Sequence, residues 1–484
     1  MKKKLFAFLA VAVAASCMFT SCAKKNEPKK AKYVFYFISD GTGVNTVQGA
    51  EYYLGQSRGI QGRVPLCMTS LPVVGVSATW SSSSDVTDSA ASGTALACGE
   101  KTYNSAIGLL TDSVTETYSI AKRAYEAGYA VGIGTSVPLN HATPAAEYAH
   151  SVLRKHYFEI AKQIYATGFD FFGGSEIHIE HRQNTPENRQ LLADMAKEAG
   201  YTVTYGLKQY EEMGRNADKV IMLQDQDVPD VYSLPYWIDR KPGQVTIVDQ
   251  LRAQIEFLYR KSGEKGGKGF FLMNEIGGKV DFACHANDAA TAFEEVLAVD
   301  SCVKLAYEFY KAHPDETLIV LTADHETGGL TLGCQASGYS IRTNLLKGQK
   351  VSKDESTRHF QALRAANNNK VSWEQVKQML TDDFGFWDTV QLTADEEKQL
   401  RDIYERSFKG HMSAEKNLYS ENEQMSATAV RILAAKAAMG WTTGGHTAGL
   451  VPVYACGVGQ ELFMGHNDNA QIPLNIAKAM GLKW

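Results

Sequence analysis

Three short segments place metal-ligating side chains at spacings that suit a bound ion. Asp281 and His285 stand four residues apart, which puts both on one face of a helix. Asp324 and His325 are adjacent within the string TADHETGG, and His446 lies in the glycine-rich string GGHTAG. Carboxylate oxygens combined with imidazole nitrogens are typical ligands of zinc. The spacing therefore predicts a mixed nitrogen and oxygen zinc site, provided that folding brings the three segments together.

The stretch 86–99, VTDSAASGTALACG, consists almost entirely of small residues. A helix that only packs against a core usually carries larger apolar side chains, but this stretch contains a single Leu and ends on Gly99. Small side chains allow a ligand to approach the backbone closely. Ser89 stands at the position where such a ligand would arrive, so its hydroxyl is a candidate reactive group.

These residues must be positioned by a regular framework, and the hydrophobic pattern predicts one. Val34–Ile38 is a continuous apolar run that ends in a glycine-rich turn containing Asp40, as expected of a buried parallel strand. Similar runs recur at Tyr129–Ile133, Phe270–Met273, Leu318–Leu321 and Val451–Val458, and helical patterns between them include Thr115–Ala127 and Ala289–Ala312. Alternating strands and helices predict an α/β fold with a mostly parallel central sheet flanked by helices.

Three acidic residues follow predicted strands closely. Asp40, Glu275 and Asp324 each come within a few residues of the end of an apolar run. In open α/β sheets, ligands bind just beyond the carboxyl ends of the strands. The sequence therefore predicts that the candidate ligands meet at one edge of the sheet.

The segment 337–438 breaks the alternating pattern. It is polar, shows helical pieces at Ser372–Leu380 and Thr393–Ser407, and contains no clear buried strand. We interpret it as a partly helical insertion, placed before the last strands of the sheet. The predicted organisation is thus a single catalytic domain over residues 32–484 that carries an insertion at about 337–438.

Size and charge exclude several classes of protein. The chain has 484 residues, is 44% hydrophobic and carries a net charge of −5. It can bury a substantial core, and its acidic balance gives no reason to expect a nucleic-acid partner.

The N-terminus predicts export. Lys2–Lys4 precede an apolar stretch that runs from Leu5 to about Ala15, which is typical of a secretory signal and too short for a permanent membrane span. Phe19–Cys22 resembles a bacterial lipoprotein cleavage site, so residues 1–22 are predicted to be a signal and lipobox, with Cys22 as the lipidated residue. Cys17 is a second candidate, and a plain signal peptide with an incidental cysteine is the alternative.

Residues 23–31 then form a solvated tether, and the predicted location is the periplasm or the outer cell surface. Membrane contact is expected only through the lipid. The other six cysteines form no C-x-x-C pair, which argues against a thiolate zinc site.

Seven motifs together resemble one family. They are Asp40-Gly41, TDSAAS around Ser89, HATPA around Thr143, Arg154, GGKVD-x-x-x-H, TADHE and GGHT. They occur in the order found in alkaline phosphatases, from about Lys32 to the C-terminus, and the resemblance is weakest in the 337–438 segment. It implies an alkaline-phosphatase-like fold and the hydrolysis of phosphate monoesters to an alcohol and inorganic phosphate. It also implies a homodimer as one assembly of the chain.

The resemblance further implies roles for individual residues. Ser89 matches the nucleophile that takes the phosphoryl group covalently, and Arg154 matches the arginine that holds two phosphate oxygens. Two zinc ions and one magnesium ion are implied as cofactors. The matching ligands are Asp281, His285 and His446 for one zinc, Asp40, Asp324, His325 and ionised Ser89 for the second, and Asp40, Thr143 and Glu275 for magnesium.

Elementary chemistry agrees with these roles. A serine hydroxyl needs a base or a metal to become a good nucleophile. If Ser89 opens a helix, the free N–H groups and the positive end of the helix dipole face the phosphate, and the small residues that follow let it approach. A planar guanidinium fits two phosphate oxygens better than the point charge of a lysine.

The match departs from the family pattern in two places. Glu275 lies six residues before Asp281 instead of five, so that Ile276 takes the expected glutamate position. A one-residue slip turns a strand side chain to the other face, and a bulge at the adjacent glycines restores it. His141 and Phe282 occupy positions that vary in the family, and a phenylalanine cannot hold phosphate through water, so product release is expected to differ.

Two alternatives to the phosphatase interpretation stay open at this point. The first is another enzyme of the same superfamily. A phosphodiesterase would generally use a threonine as nucleophile, and a sulfatase would need a modified cysteine or serine within a C/S-x-P/A-x-R motif. Ser89 is followed by AASG, which lacks the arginine of that motif. A non-catalytic phosphate-binding lipoprotein would keep the anion site without needing a nucleophile or six zinc ligands. Turnover of a phosphate monoester, with and without a chelator, discriminates between them.

Overall fold

The structure is a computed structural model that describes residues 29–334, 338–409, 414–416 and 421–484. The predicted signal and lipobox, with Cys17 and Cys22, lie outside the described residues, as does most of the tether. Within the described residues, no helix combines the length and the apolar character needed to cross a membrane.

The strands and helices are numbered separately in chain order. The strands are β1 Tyr33–Ile38, β2 Val73–Ala78, β3 Ala130–Thr135, β4 Phe171–Gly174, β5 Tyr201–Tyr205, β6 Lys219–Leu223, β7 Phe270–Glu275, β8 Thr317–Thr322, β9 Glu326–Thr327, β10 Thr331–Leu332, β11 Glu415–Lys416, β12 Glu421–Asn422, β13 Met439–Gly440, β14 His446–Thr447, β15 Val451–Gly457 and β16 Gly465–Asp468. The α-helices are α1 Val44–Ser57, α2 Ser89–Cys98, α3 Ile120–Glu126, α4 Ala142–Ala145, α5 Tyr157–Ile164, α6 Pro186–Glu198, α7 Gly206–Gln209, α8 Ile247–Glu264, α9 Gly278–His285, α10 Ala289–Ala312, α11 Lys353–Ala366, α12 Trp373–Phe384, α13 Ala394–Ser407, α14 Gln424–Lys436 and α15 Gln471–Met480.

Ten strands form the central sheet in the order β16-β2-β15-β8-β1-β7-β3-β4-β6-β5. β15 runs antiparallel to both of its neighbours, and all other neighbouring pairs are parallel. The predicted α/β fold with a mostly parallel central sheet is therefore confirmed. The five predicted strands correspond to β1, β3, β7, β8 and β15, within two residues at each end.

Burial on both faces explains why those strands read as unbroken apolar runs. Phe35 and Phe37 of β1 belong to one hydrophobic cluster, together with residues of α8 and α10. Val34 and Tyr36 belong to a second cluster on the other face, with residues of α3 and α15. Since successive side chains of a strand point to opposite faces, a strand covered on both sides needs an apolar residue at every position.

The strands that the sequence pattern did not reveal are short or lie toward the edges of the sheet. β4 is only four residues long and ends in two glycines, and β5 alternates threonine with tyrosine and valine. Among the helices, α10 has the predicted bounds, but α3 begins at Ile120 instead of Thr115. Ser119 explains the later start, because its hydroxyl accepts a hydrogen bond from the Lys122 amide as an N-cap.

The described parts of the 337–438 segment contain helices α11 to α14 and the two-residue strands β11 and β12. The predicted helical pieces coincide with α12 and α13, each of which opens with a capping box. Phe360, Leu380 and Leu400 of these helices are buried in the cluster that also contains Phe35. The segment thus packs against the same face of the sheet as α8 and α10.

Candidate metal centre and active site

The central strands bring three carboxylates to one edge of the sheet. β1 lies between β7 and β8, and the three run parallel in register, so their carboxyl ends coincide. Asp40, Glu275 and Asp324 come at or just after these ends, and all three are buried. Gly41 has a φ of 72°, and a Cβ atom there would lie 2.6 Å from the Asp281 Cα atom. Only glycine therefore permits this close approach of the Asp40 turn to α9.

A first group of candidate ligands contains Asp281, His285 and His446, whose ligand atoms lie within 4.8 Å of one another. Asp281 and His285 lie one turn apart on α9, with His285 Nε2 3.4 Å from Asp281 Oδ2. The Nε2 atoms of His285 and His446 are 3.2 Å apart. The Nδ1 atoms of the two rings contact the carbonyl oxygens of Gly444 and Thr87, at 2.7 and 2.9 Å. Those contacts orient both Nε2 atoms toward one point, as in zinc sites.

A second group contains Asp40, Asp324 and His325. His325 Nε2 lies 3.4 Å from Asp40 Oδ1 and 3.1 Å from Asp324 Oδ2. Its ring stacks on that of His446 with 3.5 Å between centroids, so the two groups are adjacent. The structure therefore brings together all six side chains that the sequence motifs singled out as zinc ligands.

Ser89 lies beside the second group. It is the first residue of α2, and its Oγ is 3.1 Å from His325 Nε2. Asp88 caps the helix by accepting a hydrogen bond from the Ala91 amide at 3.0 Å. Every residue of α2 is buried, which accounts for the small side chains of this stretch.

A third group forms around Glu275, and it answers the question raised by the one-residue shift. Glu275 is the last residue of β7, accepts a hydrogen bond from the Thr135 hydroxyl, and groups with Asp40 and His141 as candidate ligands. Ile276, at the position expected for a glutamate, is instead buried in the hydrophobic cluster that contains Phe35 and Phe37. Glu275 thus points to the centre because the strand ends on it and the turn into α9 follows at once.

Thr143 and Arg154 both lie next to this third group. The Thr143 hydroxyl donates to Asp40 Oδ2 at 3.3 Å. Arg154 donates through Nη2 to His141 Nε2 at 3.0 Å, and its Nη1 lies 3.3 Å from Asp88 Oδ2. Its guanidinium therefore sits between the N-terminus of α2 and the third group, where an anion held at Ser89 would meet it.

The donor set fits bound cations. Within the three groups, four buried carboxylate oxygens accept no hydrogen bond from the described residues, although buried acceptors are normally satisfied. They are Asp40 Oδ1, Glu275 Oε1, Asp281 Oδ2 and Asp324 Oδ2. A divalent cation in each group would satisfy these oxygens and neutralise their charge.

The pKa values of the carboxyl groups show the same excess of negative charge. Burial, with repulsion from Asp324 and Asp281, raises the pKa of Asp40 well above its ordinary value. Burial raises the pKa of Glu275 to about 7. Burial would also raise the pKa of Asp281, but the neighbouring histidines, His285 first, hold it below its ordinary value. Carboxylates crowded in this way stay ionised together only when positive charge is supplied.

Sequence reasoning missed three residues that take part in the centre. His141 belongs to the third group, whereas the motif comparison noted it only as a variable position. Thr135 donates to Glu275, and Thr327 donates to Asp281 Oδ1 at 2.5 Å. The signal for His141 was its place two residues before Thr143, but nothing in the sequence marks the two threonines, because single hydroxyls are common in any chain.

A parallel α/β sheet with a serine at a helix N-terminus and clustered carboxylates and histidines at its strand ends defines a metal-dependent hydrolase. The family model described as alkaline phosphatase matches residues 31–482. The chain therefore belongs to the alkaline phosphatase family, whose members hydrolyse phosphoric monoesters and depend on metal ions.

Individual relatives agree with this assignment. The chain is 30% identical to an alkaline phosphatase of Schizosaccharomyces pombe, over 94% of this chain and 82% of that protein. It is 30% identical to alkaline phosphatase 3 of Bacillus subtilis, over 99% of this chain and 98% of that protein. Among solved structures, the cold-active alkaline phosphatase of a psychrophilic Shewanella superposes with a TM-score of 0.75 at 27% identity, over 93% of this chain and 99% of that one.

Proposed function

We propose that this enzyme hydrolyses phosphate monoesters through a covalent phosphoserine at Ser89, with two zinc ions and one magnesium ion as cofactors. The observation that carries the proposal is the position of Ser89 Oγ, 3.1 Å from His325 Nε2 and at the N-terminus of α2. Family membership supports the reaction class, and the motif match together with the three ligand groups supports the mechanism.

In the first step, Ser89 Oγ attacks the phosphorus atom, a new P–O bond forms, and the bond to the leaving alcohol breaks. The amide groups at the start of α2 and the guanidinium of Arg154 hold the phosphoryl oxygens. The Ser89 hydroxyl gives up its proton to the solvent, and the leaving oxygen takes up one proton to form the alcohol. In the second step a water oxygen attacks the phosphoserine and loses a proton, the Ser89–phosphorus bond breaks, the Ser89 oxygen takes up a proton, and inorganic phosphate is released.

The metal ions would be held by the groups described above. Asp281, His285 and His446 would hold one zinc, and Asp40, Asp324 and His325 would hold the other. When bound, the cations supply positive charge that lowers the pKa of the Ser89 hydroxyl and neutralises the leaving alkoxide. The transition state of phosphoryl transfer spreads negative charge over three oxygens, so positioned positive charge is most of what the protein must provide.

The third group would hold magnesium through Asp40 and Glu275. Thr143 is close enough to Asp40 to complete the ligand set that the family motif implies, and the His141 ring borders the same space. Oxygen ligands suit Mg²⁺, which keeps several of its waters.

We also propose that the enzyme is exported and attached to a membrane through a lipid at Cys22, or at Cys17. The support for this comes from the N-terminal sequence alone, since these residues lie outside the described part of the chain. The proposed substrates are small phosphate monoesters outside the cytoplasm, and the proposed assembly is a homodimer.

The central test is turnover of p-nitrophenyl phosphate by the metal-loaded enzyme. Ser89→Ala should lower kcat/KM by at least about 10⁴-fold, because the attacking oxygen is lost, while elemental analysis finds the metal content retained. Ser82→Ala, at an exposed serine in the preceding loop, is the matched control and should retain wild-type kinetics.

A chelator should abolish wild-type turnover, and added zinc and magnesium should restore it. A wild-type enzyme that does not hydrolyse the ester, or a Ser89→Ala variant that hydrolyses it at the wild-type rate, would overturn the proposal.

A further inference from the structure

A cavity of about 260 Å³ lies between the candidate active site and helix α11. Its wall comes from four separate parts of the chain, which are the loop that contains Asp230 and Tyr232, helix α9, helix α11 and Asn422 of β12. Lys279 and Phe282 of α9 face Asp354 and Arg358 of α11 across it. The wall thus combines aromatic rings with charges of both signs, and none of these side chains has a role in the mechanism described above.

The cavity adjoins the position of the phosphoryl group. Phe282 directly follows Asp281, and its ring centroid lies 6.4 Å from that of His141, which accepts a hydrogen bond from Arg154. The ring of Tyr232 lies nearly parallel to that of Phe282, at an angle of 18° and a centroid distance of 6.3 Å. The wall of the cavity at Phe282 therefore lies next to the pair formed by His141 and Arg154.

Lys279 brings a buried positive charge to the cavity. Its side chain donates to the Ser233 hydroxyl at 2.6 Å and lies 3.6 Å from the centroid of the Tyr236 ring, and the residue is only 4% exposed. No carboxylate in the described part of the chain forms an ion pair with it. An ammonium group can donate three hydrogen bonds, and a buried cation without a counter-ion is unfavourable. Four carboxylates act on it from beyond ion-pair distance and favour its charged form, namely Asp230, Asp354, Glu295 and Asp239. An anionic group of a ligand would supply a partner in direct contact.

Helix α11 contributes charges of both signs. Arg358 Nε donates to Glu355 at 2.6 Å. The Arg358 side chain is 38% exposed and lines the cavity. Asp354 has a buried Oδ1 atom that accepts no hydrogen bond from the described residues. The cavity therefore offers partners for one negative and one positive group.

We propose that this cavity binds the alcohol portion of the substrate, and that the preferred esters carry both a carboxylate and an ammonium group there, as O-phosphorylated amino acids do. The inference rests on the proposed function. Lys279 and Arg358 pair with the carboxylate, Asp354 pairs with the ammonium group, and Phe282 and Tyr232 contact the apolar stem. The chemistry at phosphorus is the same as for any other monoester.

The experiment compares kcat/KM for three esters of similar size, which are O-phosphoserine, phosphoethanolamine and glycerol 3-phosphate. The wild-type enzyme should prefer O-phosphoserine to glycerol 3-phosphate by about tenfold or more, because a ligand without these charges leaves Lys279 and Asp354 without partners. Arg358→Met should lower the ratio of O-phosphoserine to phosphoethanolamine. Asp354→Asn should lower the ratio of phosphoethanolamine to glycerol 3-phosphate.

Arg406→Met is the matched control, because Arg406 is an exposed arginine of α13 whose Nε donates to the Asp402 carbonyl oxygen of the same helix, and its ratios should equal those of the wild type. Lys279→Met tests the buried cation, and Lys279→Arg should retain more of the preference than Lys279→Met. Equal ratios in the wild type and Arg358→Met, or a wild type that does not prefer O-phosphoserine, would overturn the inference while the proposed function stands. A failure to hydrolyse all three esters and p-nitrophenyl phosphate as well would overturn the proposed function itself.

Discussion

The candidate metal centre and helix α13 of the 337–438 segment place their carboxylates in opposite environments. In the centre, Asp40, Glu275, Asp281 and Asp324 are buried, and one oxygen of each accepts no hydrogen bond from the described residues. On α13, by contrast, exposed carboxylates pair with cations one turn away, as Asp402 does with Lys398 at 2.8 Å. The Asp402 pair is thus complete within one helix, whereas the carboxylates of the centre come from distant parts of the chain and fit bound cations. Activity is therefore expected to depend on the centre, and the stability of the helix on local hydrogen bonds and ion pairs.

The largest effect after loss of Ser89 is expected from removing one ligand of the centre. Asp324→Asn removes a buried negative charge from the second ligand group, so that a cation is held more weakly there. We expect kcat/KM to fall by about 10³-fold, since a metal contributes several kcal/mol to the transition state. Elemental analysis should show one divalent ion fewer per chain.

Asp315→Asn is the control for this change, because Asp315 is an exposed carboxylate paired with Lys29. It should alter neither the metal content nor the kinetics. Full metal content and full activity in Asp324→Asn would contradict the assignment of the second group.

A smaller effect is expected from substituting Arg154, which supplies positive charge beside the centre. Arg154→Lys keeps the charge but loses the planar fork that can hold two phosphate oxygens, so kcat/KM should fall by about 10- to 100-fold. Inhibition by inorganic phosphate should weaken in parallel. Phosphate inhibition of Arg154→Lys that matches the wild type would show that the guanidinium does not contact the substrate.

Glu147 sharpens the comparison, because it is a buried carboxyl group that forms no ion pair with any residue in the described part of the chain. Its Oε2 accepts from the Ala121 amide at 3.3 Å, and burial raises the pKa of Glu147 to about 8. An unfolded glutamate ionises near pH 4.3, so the folded protein binds the extra proton between about pH 4.5 and 8. The free energy of unfolding should therefore fall as the pH rises through this window, by roughly 2–4 kcal/mol.

Glu147→Gln should remove this loss while keeping an acceptor for the Ala121 amide. Urea unfolding at pH 5, 7 and 9 measures the effect. Glu159→Gln, at an exposed carboxylate paired with Lys162, is the control and should behave like the wild type. A wild type whose stability does not fall relative to Glu147→Gln above pH 5 would show that Glu147 is ionised in the folded protein.

The smallest effect is expected in the local helices. Thr393 caps α13 by accepting a hydrogen bond from the Glu396 amide at 3.3 Å. Thr393→Ala should cost about 1 kcal/mol of stability, and Thr393→Ser should cost less. Turnover of p-nitrophenyl phosphate at a temperature where both variants are folded should be the same as in the wild type, and a loss of turnover there would show that the segment is coupled to the centre.

The sequence was sufficient for much of the framework. The apolar runs of β1, β7 and β8 are long and buried on both faces, so their pattern is unambiguous, and Thr393 and Ser372 mark helix starts by their hydroxyls. The strands β2, β4, β5, β6 and β16 of the central sheet were not predicted. β4, β5 and β16 have four or five residues that include glycines or polar side chains, as loops do, and β2 is interrupted by Gly75. β6 is apolar, but its five residues are too few for periodicity to distinguish a strand from a helix.

The site, like the sheet, has some features that the sequence predicted and others that it did not. The residue types and spacings of Asp281, His285 and His446 predicted metal ligation, since a four-residue separation fixes a shared helix face. The orientation of Glu275 could not be predicted, because a one-residue shift against the family pattern reverses a strand side chain unless the turn compensates. His141 and the cavity facing α11 were also missed, since both depend on which loops and helices lie next to one another.

What the sequence determined by itself is therefore local: which runs form strands, which hydroxyls begin helices, and which side chains can bind a cation or attack phosphorus. The tertiary structure alone decided that segments up to 400 residues apart meet at one edge of the sheet, that Ile276 turns to the core while Glu275 turns to Asp40, and that α11 lies across a cavity from Phe282. The physical reason is that local preferences arise from neighbouring dihedrals and hydrogen bonds, whereas these contacts arise from packing the sheet between its two helical layers.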